Sequence, residues 1–260
     1  MPPKKSTRKP SAKRPRSPDA TEKTADPATT KRPQKRAKTS SASTDELEIP
    51  TEPTPAKSTE PETPSPTGKF DLYMMDLTFL AAPYLPAGES KPRWDSLYKE
   101  IVKVQTKKDY TARCLLPGTQ GEDGRLVSRT SIDAMEEMPF DIRIADITLV
   151  DQLSFSAAER TKFVTPPLCG PGITGRLELE DDHCGIQSAT GDFRMKYASS
   201  VRGADGADVE IFEGYFAFDV AHSGMYKRKG HGAGRKSKFA FWAVRARRDA
   251  AGVEIGLSER

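Results

Sequence analysis

The first 68 residues contain almost no large apolar side chain, and this limits folding to the rest of the chain. Ordering a backbone costs ~1–2 kcal/mol per residue, which a segment offsets only by burying apolar surface. Proline recurs from Pro2 to Pro66, and each proline removes an amide donor and disfavours a helix at the residue before it. The sequence therefore predicts a long disordered N-terminal tail over residues 1–68.

The charges divide this tail into two parts. Residues 1–40 hold thirteen Lys or Arg and three acidic residues, whereas residues 41–68 hold six acidic residues and one Lys. The remaining residues, 69–260, contain 27 basic and 28 acidic residues and are nearly neutral. The net charge of +4 therefore combines a basic arm (1–40), an acidic Pro-rich linker (41–68) and a neutral domain (69–260).

Short runs of Lys and Arg in the basic arm are typical of nuclear localisation signals and of nucleic-acid contacts. The residues assigned to nuclear targeting are Lys4, Lys5, Lys13, Arg14, Arg16, Lys31, Arg32, Lys35, Arg36 and Lys38. The sequence shows no apolar secretion signal and no run of ~20 apolar residues. We therefore predict a nuclear location, a nuclear import receptor as partner and no membrane partner; a tail that only solubilises the protein is the alternative.

The neutral domain is predicted to be mainly β, an antiparallel sandwich or barrel with one packed α-helix. Apolar residues at helical spacing between Trp94 and Val104 predict a helix over 93–105, and Ser156 with Glu159 resembles a capping box. Period-two alternation predicts strands over 141–150, 175–180, 192–197, 209–220 and 239–247, with a bulge in the first of them. Glycine-rich turns are predicted at 118–124, 170–175, 203–206 and 230–234.

Segment 225–238 is the most distinctive part of the domain, and we interpret it as a basic, glycine-rich loop. Cations and exposed backbone amides suit a phosphate-bearing ligand, and Tyr226 and Trp242 offer stacking faces. The candidate contacts to an anion or a nucleic acid are Lys227, Arg228, Lys229, His231, Arg235, Lys236 and Lys238. Arg245, Arg247 and Arg248 extend this surface if their strand faces the same way. The alternatives are a solvated hairpin loop without a ligand, and an enzymatic role.

The histidines and cysteines do not form a recognisable catalytic or metal site. The adjacent pair His183–Cys184 points to opposite faces of a strand, and no Cys or His spacing fits zinc. His222 and Asp219 lie too close in sequence for a catalytic triad. Three cysteines, an odd number, fit a reducing compartment. We assign no catalytic residue, no metal and no cofactor.

These features favour a nuclear, non-enzymatic binding protein. The basic arm would serve nuclear import and contact nucleic acid or chromatin proteins, and the β domain would act as an interaction module. The alternative is a small-molecule-binding β-barrel, or an enzyme of unknown reaction, located in the nucleus. An enclosed pocket at His183, His222 or Asp219 would favour the alternative, whereas a solid core with a basic face would favour the binding protein.

Overall fold

Eight antiparallel strands form a closed barrel in the computed structural model, which describes residues 66–119, 121–180 and 184–257. Each strand pairs with its neighbours in sequence, and β1 closes the barrel against β8. The strands are β1 Gly68–Met74, β2 Ala112–Leu116, β3 Gly124–Ile132, β4 Pro139–Leu153, β5 Gly170–Leu179, β6 Ile186–Arg202, β7 Asp208–His222 and β8 Gly234–Arg245. The predicted mainly-β fold is confirmed, in its barrel form. The predicted tail and its nuclear-targeting cations lie outside the described residues, apart from 66–68.

The interior of the barrel is a continuous apolar core to which all eight strands contribute. It includes the rings of Phe70, Phe193, Phe212, Phe216 and Phe241, all of them fully or almost fully buried. Strands of this kind alternate inward and outward side chains, and an eight-stranded barrel is just wide enough for its own side chains to fill. Aromatic rings therefore occupy the space in which a ligand-binding barrel would hold its ligand.

Helices pack on the outer face of the barrel and enclose a second apolar core. The helices are α1 Thr78–Tyr84, α2 Trp94–Thr106, α3 Ala157–Arg160 and α4 Gly224–Arg228. Leu97 and Ile101 of α2 are fully buried, which confirms the predicted helix and its apolar stripe. In the described part of the chain, no helix has the length and apolar composition needed to cross a membrane.

Strand β4 contains the bulge that the sequence predicts. Its register against β5 shifts between Ala145 and Thr148, and Asp146 has a positive φ of 53°. The capping box at Ser156 and Glu159 is also confirmed. The phase slip in the apolar alternation of β4 therefore correctly predicted a local irregularity in the strand.

The predicted turn at 170–175 is wrong, because this segment is the first half of β5. Its glycines serve close packing. A Cβ atom on Gly172 would lie 2.8 Å from Leu153 Cδ2, and one on Gly175 would lie 2.5 Å from Ile144 Cγ2. Glycine inside a strand often marks such a close approach, so the glycine content of 170–175 was wrongly interpreted as a turn.

Candidate anion-binding site

The seven candidate contact residues lie at one end of the barrel, on α4, on the connection that follows it and at the start of β8. The segment is not the long loop that was predicted: α4 covers Gly224–Arg228, and β8 already begins at Gly234. Only residues 229–233 remain as a tight connection between the two elements. We call the six lysines and arginines of this end the basic cluster: Lys227, Arg228, Lys229, Arg235, Lys236 and Lys238.

All six side chains of the basic cluster are exposed, and they differ in their partners. Lys236 Nζ lies 3.1 Å and Lys238 Nζ 3.8 Å from the same oxygen of Asp219, which β7 places opposite them. Within the described part of the chain, Lys227, Arg228, Lys229 and Arg235 form no ion pair. One carboxylate therefore serves two of the six cations, and the other four are available to an anion.

Buried rings hold the connection beneath the basic cluster in place. His222 is buried, and its Nδ1 lies 3.1 Å from the carbonyl oxygen of His231 and 3.3 Å from that of Gly232. Because carbonyl oxygens only accept hydrogen bonds, this Nδ1 carries a proton and donates it to the turn. Tyr226 packs between the two imidazoles, with ring centroids 5.3 Å from each. His231 thus stabilises the site through its ring and its carbonyl group.

Gly185 anchors the same connection from the neighbouring β5–β6 hairpin. Its carbonyl oxygen accepts a hydrogen bond from the Ser223 amide at 2.8 Å, and its φ of 92° is a value that favours glycine. A Cβ atom at this position would lie only 1.7 Å from the Tyr226 ring. Sequence analysis missed Gly185, because a lone glycine gives no signal of such a role.

The predicted stacking faces are wrong, because both aromatic residues are buried. Trp242 is fully buried in the outer core beneath α1, and Tyr226 is 4% exposed. Neither ring can therefore stack on a base. Arg245 lies at the far end of β8, where it pairs with Glu210 at 3.0 Å, so the strand carries it away from the basic cluster. The site offers cations without an aromatic platform.

An acidic hairpin borders the basic cluster. The β3–β4 connection carries the exposed residues Glu136 and Glu137, and the charges of Asp133 and Glu136 contribute to raising the pKa of Tyr226, after the larger effect of burial. Ser237 Oγ of β8 donates a hydrogen bond to the carbonyl oxygen of Thr130 of β3 at 2.8 Å, so the two hairpins are neighbours at this end of the barrel.

The cavities of the described residues do not provide an enclosed site at His222 or Asp219. The space beside His222, Arg235 and Ser237 measures about 10 Å³, which is too small for a substrate. A cleft of about 520 Å³ lies on the outer face of β4, β5 and β6. Its arginines are already paired, Arg176 with Asp146 at 2.9 Å and Arg194 with Glu159 at 3.0 Å.

The cysteines and acidic residues do not converge on a metal. Among the described residues, no group of three or more His, Cys, Asp or Glu is placed to bind a metal ion. Cys114 is buried, Cys169 and Cys184 are exposed, and all three are free thiols. Burial raises the pKa of the Cys114 thiol far above its usual value, which keeps it protonated and unreactive. His183 lies outside the described residues.

Comparisons with protein-family models, with curated proteins and with solved structures found no match for this chain.

Proposed function

We propose that this protein is a nuclear, non-enzymatic binding protein, in which the basic arm supplies import and electrostatic affinity and the barrel supplies a second contact surface. The observation that carries the proposal is the separation of charge: a basic arm, an acidic linker and a neutral domain follow one another along the chain. An arm that is so rich in cations attracts nucleic acid or acidic chromatin proteins independently of sequence.

Two features of the barrel support a binding role. Its interior is filled by the apolar core, so a partner has to meet the outer surface. The basic cluster also lies on and around a connection that buried rings hold in place, so its cations are presented without a large ordering cost. Because Tyr226 and Trp242 are buried, we assign this surface to phosphate groups or carboxylates rather than to bases.

The alternative of a small-molecule-binding barrel or an enzyme has weaker support. Its best location is the cleft of about 520 Å³ on β4–β6, which contains both carboxylates and guanidinium groups. Arg176 is paired with Asp146 inside the cleft and Arg194 with Glu159 of α3, so both guanidinium groups already have a carboxylate partner.

Import is tested with two matched variants of the full chain, each fused to a reporter too large to diffuse through the nuclear pore. One replaces Lys4, Lys5, Lys13, Arg14 and Arg16 with Gln, and the other replaces Lys31, Arg32, Lys35, Arg36 and Lys38. We expect the two replacements together to abolish nuclear accumulation, and the single variants to show which cluster dominates. Nuclear accumulation that persists in the combined variant would contradict the proposed address.

Affinity of the arm is tested separately by titrating the full chain with duplex DNA at several salt concentrations. An arm that engages six phosphates should lose ~10³-fold in affinity between 50 and 200 mM salt. The combined arm variant should lose most of this dependence. If it keeps the same salt slope, the arm is an import signal only.

A further inference from the structure

Strand β4 is longer than its neighbour β3, and this leaves part of its edge free. The ladder between the two strands ends at Gly124 and Ile144, while β4 continues to Leu153. Beyond Ala145, β4 pairs with β5 on one side only. In the described part of the chain, no backbone group pairs with residues 146–152 on the other side. Half of the amide and carbonyl groups there are open to a partner.

A groove lies against this free edge. Ile147, Leu149 and Ile173 of β4 and β5 form one side of it, and residues 66–67, 116–119 and Gly121 form the other. The groove measures about 190 Å³. It exists because the chain before Gly124 turns away from β4 instead of extending β3. The free backbone edge and the apolar groove thus share Ile147 and Leu149.

Leu149 is unusually exposed for a strand residue that points to the concave face of the sheet. Its side chain is 71% exposed, whereas its cross-strand neighbour Ile173 is 3% exposed. An added strand would place alternate side chains on the same face, next to Leu149 and Ile147. A partner that binds here therefore needs one or two apolar side chains at alternate positions.

The charges around the groove are acidic. Asp151 on the free edge and Glu122 in the facing connection form no ion pair within the described residues, and both are exposed. Asp123 and Asp146 are also close to this edge, but each is paired with an arginine. Lys69 lines the adjoining pocket together with Glu122 and offsets its charge, so the uncompensated charge left at this edge is that of Asp151, which favours a basic partner.

We propose that the free edge of β4, residues 146–152, binds an extended basic peptide as an added β-strand. Backbone hydrogen bonds to the edge would supply affinity, and the groove at Leu149 would select peptides with alternating apolar side chains. The bulge at Ala145–Thr148 and the charge of Asp151 limit unspecific pairing, because natural proteins protect free edges by such features. This proposal is independent of the nuclear role proposed above.

A second copy of the chain is a poorer occupant than a basic peptide. Two β4 edges paired antiparallel would bring the Asp146 and Asp151 carboxylates of both copies to the same short interface. Like charges that face one another across strands are destabilising. The experiments below therefore include a measurement of the mass of the free protein in solution, which shows whether it forms a dimer.

The peptide is identified by selecting a phage library of random linear decapeptides on the immobilised full-length protein. Phage that also bind the Leu149→Lys variant are removed first. We expect the enriched peptides to alternate apolar and polar residues and to carry Lys or Arg. If no family of peptides distinguishes the wild-type protein from the Leu149→Lys variant, the proposal is overturned.

A synthetic peptide from the selection then tests the binding mode. Leu149→Lys should weaken its binding at least tenfold, whereas Leu168→Lys should not, since Leu168 is a similarly exposed leucine (80%) in the connection that precedes β5. Peptides N-methylated at alternate amides should lose binding in one register, and amides 146–152 should gain protection from hydrogen exchange. Binding that tolerates every N-methylation would exclude an added strand, and a dimer that Leu149→Lys dissociates would make a second copy the occupant.

Discussion

Strand β7 carries two carboxylates on its outer face, and each pairs with a lysine of a neighbouring strand. Glu213 accepts from Lys196 of β6 at 2.7 Å, and Asp219 accepts from Lys236 of β8 at 3.1 Å. The side chain of Lys196 is 5% exposed, whereas that of Lys236 is 74% exposed. The same chemical pair therefore occurs once beneath the helices and once in solvent.

The two pairs differ in burial, and this difference gives them different roles: the buried pair holds strands together, and the exposed pair leaves its surroundings open to binding. Burial raises the pKa of Glu213, while the charge of Lys196 acts in the opposite direction. The buried carboxylate therefore depends on its contact with Lys196 to stay charged. Asp219 and its two lysines lie at the surface, where water screens their charges, and the other four cations of the basic cluster form no ion pair in the described part of the chain. Buried charges thus connect strands, and exposed charges at the end of the same strand are available to other molecules.

The largest effect is expected when Lys196 is replaced by Met. Glu213 would then remain buried without its partner, which costs about 3–5 kcal/mol of unfolding free energy. Denaturant unfolding of the full chain measures this loss. The matched exposed variant, Lys236→Met, should cost less than about 1 kcal/mol.

The double variant Lys196→Met/Glu213→Leu is the control for this prediction. It removes both charges, and we expect it to recover most of the stability. If Lys196→Met is no more destabilising than Lys236→Met, then Lys196 and Glu213 are not buried as described, and the contrast along β7 is wrong.

A smaller effect is expected from Tyr84, which lies next to the buried pair. Burial raises its pKa to about 12, and its hydroxyl group lies 2.9 Å from Thr165 Oγ1. In the unfolded chain the phenol ionises near pH 10, so its contribution to stability is complete below pH 10 and is lost as the pH rises toward 12. Between pH 9 and 11, the stability difference between the wild-type protein and Tyr84→Phe should shrink by about 1 kcal/mol. Unfolding curves that differ equally at both pH values would contradict the burial of this hydroxyl group.

Much of the barrel was predictable because its strands bury their two faces differently. On β8, Phe239 and Phe241 belong to the interior core and Trp242 and Val244 to the outer core, as the alternation indicates. The closure of the barrel was not predictable, because β1 and β2 are short and their pairing depends on partners distant in sequence. Helix α1 contains Pro83 and spans only seven residues, so it left no clear signal.

The candidate site was predictable in composition but not in arrangement. The lysines and arginines of 225–238 are visible in the sequence, whereas the partner of Lys236 follows from the register of β7 and β8. The burial of Tyr226 depends on Gly185, some forty residues earlier in the chain. Contacts of this kind depend on the register of a hairpin or on a turn in another hairpin. They leave no local pattern in the sequence from which they could be predicted.

The smallest effect on stability is expected at the basic cluster. Replacing Lys227, Arg228, Lys229 and Arg235 together by Gln should change the unfolding free energy by less than about 0.5 kcal/mol, because these side chains are exposed and form no ion pair in the described part of the chain. Binding of duplex DNA should nevertheless weaken, and its logarithmic salt slope should fall by as much as ~3.6 if all four residues contact phosphates. Four exposed lysines near α2 that form no ion pair in the described part of the chain provide a matched control: Lys91, Lys99, Lys107 and Lys108. An equal loss in both variants would assign the effect to net charge, and only a loss confined to the first variant makes this end of the barrel a binding surface.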